Sequence, residues 1–312
     1  MIVRFIVLRL VQLIPVLLGI TILAFLLLRV MPGDPATLLL GSRGTAEDIA
    51  KLQHQLGLDK PLLVQYFQFL LDCLKGDFGT SIAFRTSVGP LIFDRLWVTL
   101  ALVAYSTVIA IVLTIPLAFL AALRKNSATD NLIKFLFICF MSMPAFWLGI
   151  LLVLVFAVYI PVFPVSGLNS GFFGLLHSLF LPALVIALST AALTVRSLRS
   201  SVIAVLNADY IDTAYAKGMS RMQILRRHVF RNSLLSTISV LGVHTSWVIG
   251  GTVVIEAVFA LPGLGGLMVS SIAARDYPMV QGLTVTFAVL VVLINLAADL
   301  AYVAADPRVE LS

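Results

Sequence analysis

The sequence predicts an all-α integral membrane protein with six transmembrane helices. Hydrophobic residues occupy 60% of the 312 positions and charged residues only 12%, far from the balance of soluble domains. A helix needs about 20 apolar residues to cross the hydrocarbon core of a bilayer. Six stretches have roughly this length, and they are Leu10–Leu28, Leu96–Leu123, Phe135–Ile160, Leu179–Val195, Leu235–Ala260 and Val280–Ala304.

The lysine and arginine residues predict that the N-terminus and the C-terminus are both cytosolic, because short cytosolic loops of membrane proteins collect these side chains. In this orientation 13 of the 21 Lys and Arg residues are cytosolic, and most of the other 8 belong to one long outer loop. The net charge of +6 therefore reflects topology and does not call for nucleic acid as a partner. The 13 cytosolic residues are Arg4, Arg9, Arg124, Lys125, Lys134, Arg196, Arg199, Lys217, Arg221, Arg226, Arg227, Arg231 and Arg308.

The first span is predicted to remain in the protein, since its apolar core is long and no small-residue cleavage site follows it before Met31. The outer loop that comes next is predicted to form a small helical cap. One short helix covers Ala46 to Leu56, with Thr45 as its cap and Asp48 as the third residue. After a turn, the apolar spacing from Leu62 to Leu74 predicts an amphipathic helix, and Val88 to Arg95 is expected along the membrane surface.

The third predicted span contains Pro144 near its middle. Proline removes one backbone hydrogen bond from a helix, so a kink is expected between Ser142 and Trp147. Such a kink can serve as a gate, or it can be a packing irregularity of a helix bundle.

A polar, basic segment, residues 207–232, lies between the fourth and fifth predicted spans. Gly218 suits the positive φ that ends a helix, and Ser220 with Gln223 three residues later forms a capping-box pattern. The segment is therefore predicted to form two helices, the first from about Tyr210 to Lys217. Small side chains at Thr213, Ala214 and Ala216 would let the backbone of another protein approach closely, although a basic helix can also lie on anionic lipid.

The fifth and sixth predicted spans carry polar side chains at membrane depth, where such residues usually face the bundle interior or water. His244 is expected to form an interhelical hydrogen bond or a ligand contact. Glu256 is expected to reach the outer interface or to have a structural or gating role. Asn295 and Asp299 favour interhelical hydrogen bonds over an ion relay. Between these spans, Leu261–Gly266 contains three glycines and a proline and predicts a tight turn.

The sequence gives no support for a bound metal or a disulfide framework. Cys73 is placed in the outer loop and Cys139 in the third span, so both are expected to be unpaired. No CxxC or HExxH pattern occurs. The pattern GxSxG is also missing, which argues against an intramembrane hydrolase.

Together these features resemble the permease family of ABC importers of the oligopeptide, dipeptide and nickel type, over essentially the whole chain. In the 207–232 segment, Asp212-Thr213-Ala214 followed by Gly218 departs from the general Glu-Ala-Ala pattern but keeps the acid and the glycine spacing. The other motifs are Met31–Pro35, Gly57–Leu62 with Gln65 and Tyr66, Gly76–Ser81, Ser142–Trp147, Glu256–Gly265, Arg275–Gln281 and Asp306–Arg308.

The resemblance implies three regions: residues 1–30 with the first span, the extracytoplasmic loop 31–95, and a five-span permease core 96–312 that includes a coupling segment at 207–232. The coupling segment is expected to place a helix in a groove of a cytosolic ATPase. Its candidate residues are Asp209, Asp212, Thr213, Ala214, Ala216, Lys217, Gly218, Arg226, His228 and Asn232.

The resemblance also implies candidate residues for transport itself. The candidates for the translocation path are Met143, Pro144, Trp147, His244, Trp247 and Glu256. The candidates for contact with an external binding protein are Pro262, Gly263, Gly265, Arg275, Asp276 and Tyr277.

The chain lacks the GxxxxGK[ST] pattern that holds ATP phosphates, so ATP and magnesium are expected only on partner subunits and this chain is expected to be no enzyme. The implied partners are a second homologous permease, two ATPases, a solute-binding protein and membrane lipid, in the inner membrane of a prokaryote. The expected substrate is a peptide, with nickel or a metal chelate as the alternative. An ion-coupled carrier is disfavoured because the sequence shows no matching inverted repeats or broken spans.

Overall fold

A computed structural model of the protein describes residues 2–30, 45–55 and 59–305, without the side chains of 2–10, 27–30, 52, 55, 234–247 and 301–305. The motifs Met31–Pro35 and Asp306–Arg308 lie outside the described residues, as do Gly57 and Leu58. The described helices are α1 (Ile2–Val30), α2 (Ala46–Gln55), α3 (Leu62–Lys75), α4 (Val88–Leu123), α5 (Ala128–Ser142), α6 (Ala145–Val153), α7 (Phe172–Leu206), α8 (Asp209–Ala216), α9 (Arg221–Ile224), α10 (Arg231–Val258), α11 (Leu264–Ala273) and α12 (Tyr277–Ala305).

The outer segment contains the two helices that the sequence predicts. The Thr45 backbone N–H and hydroxyl donate to Asp48 Oδ2 at 3.2 and 2.6 Å, and the Asp48 N–H donates back to Thr45 Oγ1 at 3.2 Å, which confirms the predicted cap of α2. α3 ends at Lys75 and is capped by Gly76, whose φ of 75° lies in the left-handed region that glycine tolerates. Val88–Arg95, which were expected along the membrane surface, form the first turns of the 36-residue helix α4.

The third predicted span is broken rather than kinked. α5 ends at Ser142, and α6 begins at Ala145 at an angle of 104° to it. Met143 has an extended backbone between them, and Pro144 caps α6. A backbone N–H at the start of a helix has no intrahelical acceptor. Proline, which lacks an N–H, is therefore tolerated there. α6 continues as a π-helical segment, Leu154–Tyr159.

Three described helices are long and apolar enough to cross a membrane, and these are Val88–Leu123, Phe172–Leu206 and Tyr277–Leu300. The bent pair α5 and α6 makes a fourth if it counts as one span. The first and fifth predicted spans lie in α1 and α10. In these two helices the apolar stretches with described side chains are Val11–Leu26 and Val248–Val258, each shorter than a full span, so six spans remain a prediction.

The chain divides into two compact units, of which the first contains Met1–Trp97 and Gly266–Val292. In this unit α3 lies against α1. The Phe25 and Tyr66 rings meet edge to face with their centroids 5.3 Å apart, and the Tyr66 hydroxyl lies 3.0 Å from Thr21 Oγ1. Such edge-to-face aromatic pairs stabilise a contact beyond the area that they bury.

The second unit contains Val98–Gly265 and Leu293–Ser312. Within this unit α7 packs against α5, α6 and α10. Small side chains allow helices to approach closely, which is how membrane helices gain van der Waals contact. α7 follows this rule, since three of its alanines are fully buried: Ala183, Ala187 and Ala191.

Candidate functional site

The coupling segment, residues 207–232, folds into the two helices predicted from its capping residues. α8 ends at Ala216, and Gly218 has a φ of +79°. Ser220 Oγ accepts from the Gln223 N–H at 3.4 Å, while Gln223 Oε1 accepts from the Ser220 N–H at 2.9 Å. This reciprocal pair is the capping box that the sequence indicates.

The second helix of the coupling segment does not end before the fifth predicted span. α9 passes into a π-helical segment, Leu225–Phe230, which passes directly into α10. The sequence did not reveal this continuity, because charged residues break the apolar pattern between Arg226 and Arg231. One result is that any force on α9 acts on a membrane helix without an intervening loop.

One side of the coupling segment is buried in the second unit. Ile211, Ala214, Ile224 and Val229 belong to a core that also contains residues of α4, α5 and α7. Ala214 is only 5% exposed, so its small side chain packs inward. The prediction that Ala214 offers room to another protein is therefore wrong, because the helix presents this position to its own core.

The other side of the coupling segment is exposed. His228 is half-buried, and its ring centroid lies 6.3 Å from that of Tyr210. The Asn232 side-chain amide donates to the Tyr210 hydroxyl at 3.3 Å and so ties α10 to α8. The predicted coupling residues that are exposed are Asp209, Asp212, Thr213, Ala216, Lys217, Gly218, Arg226 and Asn232.

Charge is divided along this exposed side. Asp209 and Asp212 lie in the first turn of α8, where carboxylates favour the positive end of the helix dipole. Basic side chains follow from Lys217 onward, and large apolar side chains are distributed along the whole segment. The exposed basic residues are Lys217, Arg221, Arg226, Arg227 and Arg231, and the exposed large apolar ones are Tyr210, Tyr215, Met222 and Phe230.

A buried ion pair supports the same core and was missed from the sequence. Arg199 donates from Nε and Nη2 to the two carboxylate oxygens of Asp130, both at 2.7 Å, and Lys134 Nζ lies 3.3 Å from Oδ2. Asp130 also accepts from the Asn126 N–H at 2.9 Å. The fourth predicted span ends at Val195, before Arg199, whereas α7 continues to Leu206 and includes it. The signal that could have indicated the site is Ser127 three residues before Asp130, a helix-start pattern.

Glu256 lies in a second buried cluster, which we call the Glu256 cluster (Thr99, Glu256, Leu264 and Gly265). The Thr99 hydroxyl donates to Glu256 Oε1 at 2.7 Å and accepts from the Leu264 N–H at 2.9 Å. The Gly265 N–H donates to Glu256 Oε2 at 2.6 Å. Glu256 has no exposed surface in the chain. Through these hydrogen bonds it joins α10 to α4 and to the start of α11.

The glycines of the turn before α11 are required by this cluster. A Cβ at Gly263 would lie 2.7 Å from Glu256 Oε1, and a Cβ at Gly265 would lie 3.0 Å from Oε2 and collide with the Val253 Cα. Both positions therefore need glycine for close approach. The expected tight turn is present, and it is followed by a helix that the sequence did not predict.

The candidates for contact with a binding protein are mostly buried. Asp276 Oδ1 accepts from the Ile82 N–H and Oδ2 from the Ala83 N–H, each at 3.1 Å, and the Ser81 hydroxyl also donates to Oδ2. Asp276 thus anchors the segment before α4 to the start of α12. Gly263, Gly265, Asp276 and Tyr277 are buried, whereas Pro262 and Arg275 are exposed.

The candidates for the translocation path fall into two groups. Pro144 and Trp147 are exposed beside the break in the third span, and Met143 is half-buried there. The side chains of His244 and Trp247 lie outside the described residues. Among the residues that the structure does describe, no group of three or more His, Cys, Asp or Glu side chains is arranged to hold a metal ion.

Comparison with known proteins identifies similar sequences along almost the whole chain. Residues 114–311 match the family model described as the binding-protein-dependent transport system inner membrane component, and residues 2–103 match the model of the N-terminal part of these membrane components. The oligopeptide transport system permease protein AppB of Bacillus subtilis is 43% identical over 303 residues, which are 95% of this chain and 96% of that protein. The glutathione transport system permease protein GsiC of Salmonella paratyphi A is 37% identical over 302 residues, 97% of each.

Solved structures show the same fold. An inward-facing form of the MetNI methionine ABC transporter contains a chain that superposes with a TM-score of 0.57 at 20% identity, covering 69% of this chain and 96% of that one. A second crystal form of that transporter superposes with the same score at 21% identity.

Proposed function

Because the chain belongs to the family of binding-protein-dependent transport system inner membrane components, we propose that it is one of two homologous permease subunits in an ATP-driven importer of peptides. In this proposal an external binding protein delivers the peptide, and two cytosolic ATPases drive the change between outward-facing and inward-facing states. The location is the inner membrane of a prokaryote.

The exposed side of the coupling segment is the observation that carries this proposal. It is packed on a buried core through Ile211, Ile224 and Val229, so the surface is already folded before any partner binds. Preformed surfaces lose less conformational entropy when they bind, which favours docking. Acidic residues at the start of α8, basic residues between Lys217 and Arg231, and exposed Tyr215 and Met222 fit a protein groove better than a lipid surface, because a groove can pair both signs of charge.

The continuity of α9 with α10 gives the docking surface a mechanical role. Closure of the ATPases would displace α8 and α9 together, since His228 of the π-helical segment and Asn232 of α10 both contact Tyr210 of α8. The displacement would pass along α10 to the Glu256 cluster at the far end of that helix. The break at Met143–Pro144 would permit the neighbouring helices α5 and α6 to move as separate segments.

Replacing Asp212 with Lys tests the docking role. The change reverses a charge on the exposed side of α8 and touches no buried contact, so we expect normal membrane insertion with ATP hydrolysis uncoupled from uptake. A loss of about 1.4 kcal/mol of docking free energy would weaken ATPase binding about tenfold. Uptake per ATP hydrolysed in proteoliposomes, with Asp212→Glu as the charge-preserving control, measures the effect.

Gly218 offers a second test in the same assay. A β-branched residue at a φ of +79° costs about 1–2 kcal/mol, whereas asparagine tolerates this conformation. Gly218→Val should therefore uncouple transport and Gly218→Asn should retain it. Normal coupling in both Asp212→Lys and Gly218→Val would exclude the docking role, and uptake that persists without the ATPases would exclude the importer itself.

The peptide substrate is supported by the relatives, which include permeases named for oligopeptides and for glutathione. The importer reconstituted with its own binding protein should accumulate labelled di- to pentapeptides and show peptide-stimulated ATP hydrolysis. The same vesicles should not accumulate nickel, either free or with a histidine chelator. Nickel uptake that peptides fail to compete would replace the peptide assignment with the metal-chelate one.

A further inference from the structure

One face of α3 is apolar and exposed, although α3 belongs to the loop that the sequence places outside the membrane. Leu63, Phe67, Leu71 and Leu74 are spaced by three or four residues and so share one side of the helix. Their exposed fractions are 73%, 62%, 57% and 84%. A continuous apolar face of this kind is typical of contact with a membrane or another protein.

The position of α3 along the first span fixes its depth. The Tyr66 hydroxyl reaches Thr21, and the Phe25 ring packs against Tyr66 and Phe69 with centroids 5.3 and 5.9 Å away. The apolar stretch Leu10–Leu28 is about 27 Å long, so Thr21 lies about 10 Å and Phe25 about 5 Å inside its outer end. The hydrocarbon core is about 30 Å thick, and α3 therefore lies beside its outer half.

The remaining side of α3 is polar. Gln68, Asp72 and Lys75 lie together on the helix surface, away from both Tyr66 and the exposed apolar face. Lys60 Nζ donates to Gln68 Oε1 at 3.4 Å, and Lys75 Nζ lies 3.8 Å from Asp72 Oδ1. An amphipathic helix with this division lies in the plane of the interface, with its apolar side about 5–10 Å deep.

We propose that α3 is an interfacial helix of the outer leaflet, and that Leu63, Phe67, Leu71 and Leu74 contact lipid acyl chains. The boundary between membrane and water accounts for both the apolar and the polar side of α3, whereas a protein partner accounts only for the apolar one. The part of the outer loop that contains α3 is then a membrane-embedded support for the first span and not a soluble cap. Its lipid contact is independent of which solute the importer carries.

Collision accessibility of a nitroxide tests this placement in the assembled importer in proteoliposomes. Cys73→Ser and Cys139→Ala remove the native thiols, and Phe67→Cys then carries the label. Oxygen concentrates in lipid, whereas a water-soluble nickel chelate stays outside it. The label at Phe67 should collide several-fold more often with oxygen than with the chelate, and Gln68→Cys, on the polar side, should show the reverse.

Two outcomes would overturn the proposal. If the chelate reaches Phe67→Cys as readily as Gln68→Cys, α3 is a soluble cap. If neither reagent reaches Phe67→Cys while the chelate still reaches Gln68→Cys, a protein subunit covers the apolar face. Leu71→Cys, one turn along the same face, repeats the measurement, and co-purification with the ATPases verifies that each labelled variant has folded and assembled.

Discussion

Thr99 shows how much of the structure depends on single hydrogen-bonding atoms. Its hydroxyl both donates to Glu256 and accepts from the Leu264 N–H. Thr99 and Glu256 are both buried in the chain. A buried group that loses its partner costs about 1–3 kcal/mol. One hydroxyl therefore holds both the carboxylate and the first turn of α11.

Thr99→Val should destabilise the protein by about 1–3 kcal/mol, because it keeps the side-chain shape and removes both hydrogen bonds. Thr99→Ser keeps the hydroxyl and should retain most of the stability. Thermal unfolding of the detergent-purified protein, followed by loss of the monodisperse species, measures the difference. Equal unfolding temperatures for the two variants would show that the Glu256 cluster does not depend on Thr99.

Cys73 illustrates a residue whose surroundings suppress its chemistry. It lies in α3 and is partly buried, and this burial raises the pKa of its thiol to about 12, with a smaller contribution from the neighbouring Asp72 carboxylate. Since the thiolate is the reactive form, this thiol is a poor nucleophile at neutral pH. Replacing it in the labelling experiment therefore removes little reactivity and serves only to simplify the background.

Among the elements, α7 organises the second unit, and its link to α5 rests on Arg199 and Asp130. Asp130 is fully buried and receives both N–H donors of a bidentate guanidinium. Removing one partner of such a pair leaves an uncompensated charge and costs about 3–5 kcal/mol. Arg196 lies one turn earlier in α7 and is exposed, which makes it the matched control.

Arg199→Gln should lower the unfolding temperature of the purified protein strongly, whereas Arg196→Gln should leave it nearly unchanged. Arg199→Lys should fall between them, because an ammonium group cannot reproduce the bidentate geometry. Adding Asp130→Asn to Arg199→Gln should recover part of the loss, since it removes a buried carboxylate that only Lys134 would still neutralise. If Arg199→Gln and Arg196→Gln behave alike, the ion pair contributes little to the core beneath the coupling segment.

For the whole molecule, the features that the sequence predicted well are the local ones. The cap at Thr45 and Asp48, the positive φ of Gly218 and the capping box at Ser220 each depend on residues no more than a few positions apart, so residue type and spacing determine them. The apolar stretches likewise predicted where α4, α7 and α12 lie. The predicted ends of these helices were less accurate. Charged residues such as Arg199 can lie inside a helix when an ion pair compensates their charge.

The features that escaped prediction join distant parts of the sequence. Thr99 and Glu256 are 157 positions apart, Ser81 and Asp276 are 195 apart, and Asp130 and Arg199 are 69 apart. A sequence shows that such polar residues must find partners at depth, but the choice of partner depends on how the helices pack. The resemblance implied that Asp276 contacts a binding protein, whereas its carboxylate instead anchors the chain to itself.

The break at Met143–Pro144 has a consequence for what surrounds the protein. Acyl chains offer no hydrogen bonds, so an interrupted helix at membrane depth persists only beside protein or water. Trp147 is 43% exposed in the single chain, directly after this break. The interruption thus marks a sector of the helix bundle that lipid solvates poorly, and in the proposed importer we expect the second permease or the route of the solute along that sector.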